Sequence, residues 1–257
     1  MKKSAFSLIL TLAVVMITGN LIAVAETTNP LAGKIIALDA GHGGADLGAQ
    51  YPAGCADDGD TTDCLIYEKD VNLAVVNALE SKLTVLGAKV VIAERYSTRR
   101  ERVNDAVAQC ASLDANDDGT ANDGRKCDVL VSVHHNGSTD PTYDGTLTIY
   151  TQKSDKPLAQ ALLATLWPLT GSNEGMLNGG YGMTVYKNLV STITEAYYIT
   201  NDCEAELYLY KTTISPFCNK TIYPDGDRID REANLQVQGL TNYFASQSSG
   251  GNGGKPR

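Results

Sequence analysis

Histidine is nearly missing from this chain, with three in 257 residues. Imidazole chemistry therefore has to come from His42, His134 and His135. Basic residues are in deficit too, 21 Lys and Arg against 30 Asp and Glu, for a net charge of −9. An acidic chain without a basic stripe argues against nucleic acid or an anionic membrane surface as a partner. No Cys-x-x-Cys pair occurs, which removes the zinc knuckle. No internal repeat is visible, and no apolar segment beyond the N-terminus is long enough to cross a membrane. What remains is ample chain for a real core.

That N-terminal segment has a purpose of its own. Lys2-Lys3 precedes an apolar stretch at residues 5–17, and Ala23-Val24-Ala25 follows. A basic start, an apolar stretch and a small-x-small site are the parts of a signal peptide. The stretch is short for a membrane span and is interrupted by Thr18-Gly19-Asn20. Residues 1–25 are therefore expected to be a signal peptide cleaved after Ala25. The protein is expected to be exported to the periplasm, the extracellular space or the cell wall, with no membrane contact after cleavage. Losing Lys2 and Lys3 leaves 19 basic residues against 30 acidic ones, a charge of −11. An oxidising compartment favours local disulfides over metal ligation for the six cysteines. These fall into three close pairs, Cys55 with Cys64, Cys110 with Cys127, and Cys203 with Cys218.

Behind that segment, strand-like and helix-like patterns alternate. Lys34-Ile35-Ile36-Ala37-Leu38 reads as a buried strand. Residues 68–86 put Val71, Val75, Leu79 and Leu83 on one helical stripe, closed by Gly87. A strand at 88–93 follows, and Thr98 with Glu101 makes a capping box for a helix striped by Val103, Ala106, Val107 and Cys110. Strands at 128–135, 145–150 and 191–200 come next. Between the last two lies a helix that Pro157 opens and Pro168 stops. A final helix spans 231–244. The polar stretch 45–66 is read as an ordered functional loop, and the Gly-rich stretch 171–182 as a mobile loop walling the substrate groove. The alternation predicts an α/β single domain over residues 26–245. Its central sheet should be largely parallel and twisted, about five to six strands wide, with helices on both faces. Residues 246–257 are Ser/Gly-rich and predict a disordered tail. A monomer is expected.

The insertion at residues 112–126 raises the question of calcium. Asp114-Ala115-Asn116-Asp117-Asp118-Gly119 matches the first six positions of a calcium loop. The twelfth position holds Arg125, where such a loop needs a bidentate Glu. Asn122, Asp123 or Asp128 would have to complete a different geometry. Calcium on Asp114, Asn116 and Asp118 and a merely solvated acidic loop both fit.

The histidines sit in two places only. His42 ends the first strand within Leu38-Asp39-Ala40-Gly41-His42-Gly43-Gly44. His134-His135 end the third strand within Ser132-Val133-His134-His135-Asn136. Ligands of parallel α/β sheets bind beyond the carboxyl ends of the strands, so His42 and His134 should converge there. Glu68 opens the first long helix. Two imidazoles and one carboxylate leave a fourth position for water, the pattern of catalytic zinc. Alone, Glu68 could equally be a first-turn acid favoured by the helix dipole. His135 points away from His134 along an extended chain and fits a supporting place. Glu195 stands among Ile193, Tyr197 and Ile199. A buried salt bridge would explain it, and so would a general acid/base beside zinc-activated water.

Four stretches resemble, in order, the motifs of the zinc-dependent N-acetylmuramoyl-L-alanine amidases: residues 38–44, Glu68 before Val71-Asn72-Leu73, residues 132–136, and residues 194–201. The resemblance covers about residues 34–244. It implies Zn2+ held by His42, Glu68 and His134, with Glu195 as catalytic acid/base. It also implies a peptidoglycan or muropeptide substrate, cut at the amide joining the muramic acid lactyl group to L-alanine. A zinc peptidase or amidase acting on another cell-wall bond is the nearest rival. A non-catalytic peptidoglycan-binding module would have no need of Glu195. The chain departs from the family where the usual small Gly-Phe pair is replaced by Ala196-Tyr197-Tyr198, expected to narrow or reshape the pocket beside the base. The insertions at 55–64 and 110–127 are further departures.

Overall fold

The structure, a computed structural model, describes residues 29–55, 62–95, 98–114, 119, 125–186, 189–210 and 227–250. The expected signal peptide, Asn116, Asp118, Cys218 and residues 251–257 lie outside the described residues. In chain order the elements are β1 (Ile35–Ala40), β2 (Gln50–Tyr51), β3 (Ile66–Tyr67), α1 (Glu68–Val85), β4 (Lys89–Ile92), α2 (Arg99–Ser112), β5 (Val129–Asn136), β6 (Thr146–Tyr150), α3 (Lys156–Leu166), β7 (Asn173–Asn178), β8 (Ser191–Tyr198), α4 (Asp202–Tyr210) and α5 (Arg228–Gly250).

Six strands form one sheet in the order β4-β1-β5-β8-β6-β7. β4, β1, β5 and β8 run parallel, and β6 returns antiparallel against β8. β1 is buried at every position, as a continuous apolar run must be when both faces of a parallel strand are covered. On one face Ile36, Leu38, Val129, Val131 and Val133 meet α1, α3 and α5 in the larger core. On the other, Ile35, Ala37 and Leu130 meet α2 through Val103, Ala106 and Cys110. The expected α/β sheet with helices on both faces is therefore present. Helix ends follow local chemistry: Gly87 takes φ +80° beyond α1, and Thr98 Oγ1 accepts the Glu101 N–H at 3.3 Å at the start of α2.

Several segments depart from the sequence expectations. The Gly-rich stretch holds β7, an edge strand paired in parallel with β6. It lacks an apolar alternation because little of it is buried; backbone pairing to β6 supplies its order. The loop at 45–66 contains a hairpin, β2 with β3, closed by the Cys55–Cys64 disulfide. The third cysteine segment begins with α4, whose first N–H groups are met by Asn201: its Oδ1 accepts from Cys203 and Glu204 at 3.0 and 3.1 Å. α5 begins three residues earlier than expected and runs through Gly250, taking in the start of the expected tail. Ser246 and Ser248 hydroxyls donate back to the carbonyls of Tyr243 and Phe244, which lets those serines continue the helix.

Cys110–Cys127 is bonded as well, and Cys203 is disulfide-bonded. Of the expected calcium residues only Asp114 is described. Its carboxylate accepts the Gly119 N–H at 2.7 Å, and its carbonyl accepts from Lys89 Nζ. These bonds close a turn, and calcium gains no support from them.

Candidate metal centre and active site

The carboxyl ends of β1 and β5 meet the start of α1, and there the side-chain ligand atoms of His42, Glu68 and His134 come within 4.8 Å of one another. Two glycines make the approach possible. A Cβ on Gly41 would fall 2.2 Å from the His134 ring, and one on Gly48 2.4 Å from Glu68 Oε2. His42 itself adopts φ +62°, left-handed backbone that side chains rarely take. Such strain is retained where the surroundings over-determine it. Here Asp46 Oδ1 stands 2.8 Å from His42 Nδ1, which turns Nε2 toward Glu68 Oε2 at 3.0 Å.

Glu68 is the hub. Oε1 lies 3.0 Å from His134 Nδ1 and accepts the His135 N–H at 3.1 Å. Asn72 Nδ2 also donates to Oε1 at 3.2 Å, and the Ala49 N–H donates to Oε2 at 2.9 Å. Burial alone would raise the Glu68 carboxyl, but His134 and His42 hold it well below the usual carboxylate range. Burial likewise works to lower the His42 imidazole, and Glu68 and Asp46 override it, so the ring's pKa is raised. An ionised carboxylate between two imidazoles, one of them oriented by Asp46, fits Zn2+ in donor type and leaves a fourth position open.

Glu195 comes from β8. It is directly across from His134 in the β5–β8 register, and its Oε2 is buried without a hydrogen-bond partner. Burial and then the nearby charge of Glu68 push its pKa well above the ordinary value. No ion pair to Glu195 occurs among the described residues. Past Glu195 the register shifts: His134 pairs with Glu195 and Asn136 with Tyr198, so β8 carries one extra residue. Bulges of this kind re-aim side chains. Tyr197 is thus carried to the opposite face, its ring 4.3 Å from that of His135. Of the Ala196-Tyr197-Tyr198 departure, Tyr197 is thus withdrawn from the pocket beside Glu195, while Tyr198 stays near enough for the Glu195 charge to help raise its pKa.

His135 lies on that opposite face, fully enclosed. Its Nδ1 faces Asn72 Oδ1 at 2.7 Å and its Nε2 faces Glu232 Oε2 at 2.9 Å. Through Asn72 it shares the support of Glu68. The sequence reading missed Asp46 and Asn72. Both stand four residues after a candidate ligand, a spacing that in a helix such as α1 shares one face. It also passed over Arg102, which clamps Asp39 at 2.9 Å beneath the site while Ser132 donates to the same carboxylate at 2.6 Å.

Two clefts open at the triad. One, of about 250 Å³, is walled by Leu147, Ile149, Leu177, Tyr181, Met183 and Ile193, with Glu195 and both histidines at its end. The other, of about 450 Å³, runs past His42 and His134 toward Arg99, Arg100 and Arg102.

LytC of Bacillus subtilis (strain 168), an N-acetylmuramoyl-L-alanine amidase, is 30% identical over 199 residues, covering 74% of this chain and 35% of LytC. The uncharacterized protein YqiI of the same organism is 28% identical over 190 residues, 71% of this chain and 78% of YqiI. LytH of Staphylococcus aureus, a probable cell wall amidase, is 27% identical over 186 residues, 71% of this chain and 55% of LytH. The chain thus spans about a third of LytC and about half of LytH. Among solved structures, the catalytic domain of CwlV, an N-acetylmuramoyl-L-alanine amidase from Bacillus (Paenibacillus) polymyxa var. colistinus, superposes with a TM-score of 0.60 at 24% identity. The overlap takes in 82% of this chain and 98% of that one and shows the shared fold. A family model for N-acetylmuramoyl-L-alanine amidase matches residues 36–214, a span reaching from β1 past β8, and the chain belongs to that family.

Proposed function

We propose that the protein is an exported, zinc-dependent amidase that hydrolyses the bond between the muramic acid lactyl group and L-alanine in peptidoglycan. The observation that carries this reading is the pairing of a satisfied ligand set with an unsatisfied acid. Every oxygen of Glu68 is held, whereas Glu195 Oε2, one strand over, has no partner.

His42 Nε2, Glu68 and His134 Nδ1 would hold the ion. When bound, zinc supplies Lewis acidity that polarises the amide carbonyl and eases deprotonation of the attacking water. The remaining work falls to Glu195. Its carboxylate takes the water's proton as attack begins and returns it to the nitrogen of L-alanine, so that the C–N bond breaks and a neutral amine departs. A raised pKa suits both halves, because the group must accept a proton and then release it near neutral pH. The apolar walls at Leu147, Ile149 and Ile193 exclude water from that exchange. One chain carries ligands and base together, so a monomer suffices. The N-terminal segment 1–25 supports delivery to the wall.

Mass spectrometry of digested peptidoglycan tests the reading. Free muramoyl lactyl groups and peptides beginning with L-alanine are expected. Fragments cut within the stem peptide would instead favour the peptidase rival, and no cleavage by zinc-loaded protein would leave only a binding module.

A further inference from the structure

Two cations in the groove have no partner among the described residues. Arg99 and Arg100 open α2, and neither guanidinium has an ion-pair or hydrogen-bond partner among the described residues. Their basic neighbours are engaged: Arg102 by Asp39 at 2.9 Å, and Arg95 by the carbonyls of His42 and Lys69 at 3.3 and 2.9 Å. Asp46, the carboxylate of the larger cleft, is already held by His42. Arg99 borders both clefts and so stands at the point where they meet the triad. Its place is built. A Cβ on Gly182 would come within 2.8 Å of Arg99 Cβ and 3.1 Å of its Cδ, so the loop closes over the arginine stem because residue 182 is glycine. In a chain of net charge −9, an unpaired cation beside the metal-ligand triad selects for anions.

Building on the amidase reading, we propose that Arg99 binds a free carboxylate of the stem peptide, which makes the larger cleft the peptide subsite. Substrate chemistry separates the two sides. The carboxyl of muramic acid is consumed in the scissile amide and the N-acetylated sugars are neutral, so the anionic groups lie in the peptide. The carboxylate nearest the cut is the α-carboxyl of the second peptide residue. A guanidinium meets a carboxylate through two parallel N–H···O bonds, which sets orientation as well as charge. The apolar cleft walled by Leu147, Ile149 and Tyr181 is left for the muramoyl side.

Two soluble probes isolate that carboxylate: N-acetylmuramoyl-L-Ala-D-Glu and its α-amide, N-acetylmuramoyl-L-Ala-D-isoglutamine. The zinc-loaded parent is expected to show a KM lower by about 2- to 5-fold for the free acid, the worth of a solvent-exposed ion pair. Arg99→Ala should erase the difference by raising KM for the acid to that for the amide, and Arg99→Lys should keep part of it. Calorimetry of the dipeptide L-Ala-D-Glu with metal-free protein supplies a readout apart from catalysis, and its affinity should fall by a similar factor in Arg99→Ala. Equal KM for the two probes in the parent overturns the proposal while the amidase reading stands. A loss in Arg99→Ala that is equal on both probes does the same. If no muramoyl substrate is cut at the lactyl–alanine bond, the amidase reading fails and takes this proposal with it.

Discussion

His134 and His135 are neighbours on β5, yet they serve two differently built faces of one sheet. On the closed face, His135 is walled in by α1 and α5, and both ring nitrogens meet acceptors on Asn72 and Glu232. Gln236 Nε2 completes the chain by donating to the other Glu232 oxygen at 2.9 Å. On the open face, His134 meets Glu68 at the mouth of two clefts, beside a Glu195 oxygen with no partner and an arginine with no counter-ion. Buried polar groups are costly unless matched. His135, matched at both nitrogens, therefore helps hold the fold, although Tyr197 Oη and Gln236 Oε1 beside it lack hydrogen-bond partners. Glu195, by contrast, opens onto a cleft where something else can reach it.

Breaking a ligand on the open face should give the largest effect. His134→Ala is expected to bind almost no zinc and to lose activity to background, because two protein ligands make a poor catalytic site. Its thermal unfolding should still be cooperative, and zinc content by mass spectrometry checks the first half. Breaking the closed face should do the reverse. Glu232→Ala leaves His135 buried without its anionic partner and should cost about 3–5 kcal/mol of stability in denaturant titrations. Specific activity per folded, zinc-loaded molecule should change far less.

Asp46→Ala sharpens the comparison on a smaller scale. It frees His42 Nδ1 without touching a ligand atom, and zinc affinity should fall by about 10- to 100-fold. Competition with a chelator measures this directly. Unchanged affinity would mean that the strained His42 backbone orients the ring unaided.

The smallest effect is on pH-dependent stability of the metal-free protein. The folded pKa of Glu195 is raised above its ordinary value of 4.5. Its contribution is therefore fully present below that value and is lost as pH rises through the raised pKa. Glu68 is shifted the other way, so its contribution is present above the ordinary value and lost on acidification. Glu195→Gln removes the first loss and keeps the second. Its denaturation midpoint should overtake that of the parent as pH climbs above the ordinary carboxylate range, and parallel curves would contradict the burial of Oε2.

Much of this was legible in the residues because the signals were local or scarce. Buried parallel strands announce themselves as continuous apolar runs, and three histidines leave few ways to build a metal site. Glu195 stood out because an acid within an apolar strand needs a reason. Other features depend on partners that a linear pattern does not reveal. β7 exists through pairing with β6 and has no apolar alternation of its own. The bulge that sends Tyr197 to His135 is a register shift between β5 and β8, invisible in either strand alone. Arg99 reads as an ordinary first-turn residue until the loop at Gly182 is seen closing over its stem.

The most direct test of the central claim is Glu195→Gln, assayed for metal and rate in the same folded sample. The proposed ligand set does not include Glu195, so about one zinc per chain should remain. Hydrolysis of muramoyl peptides should fall by about 10²–10⁴-fold, the usual worth of a positioned general acid/base. Hydrolysis at the parent rate would contradict the account, and so would loss of zinc by this variant, since Glu195 would then be a ligand.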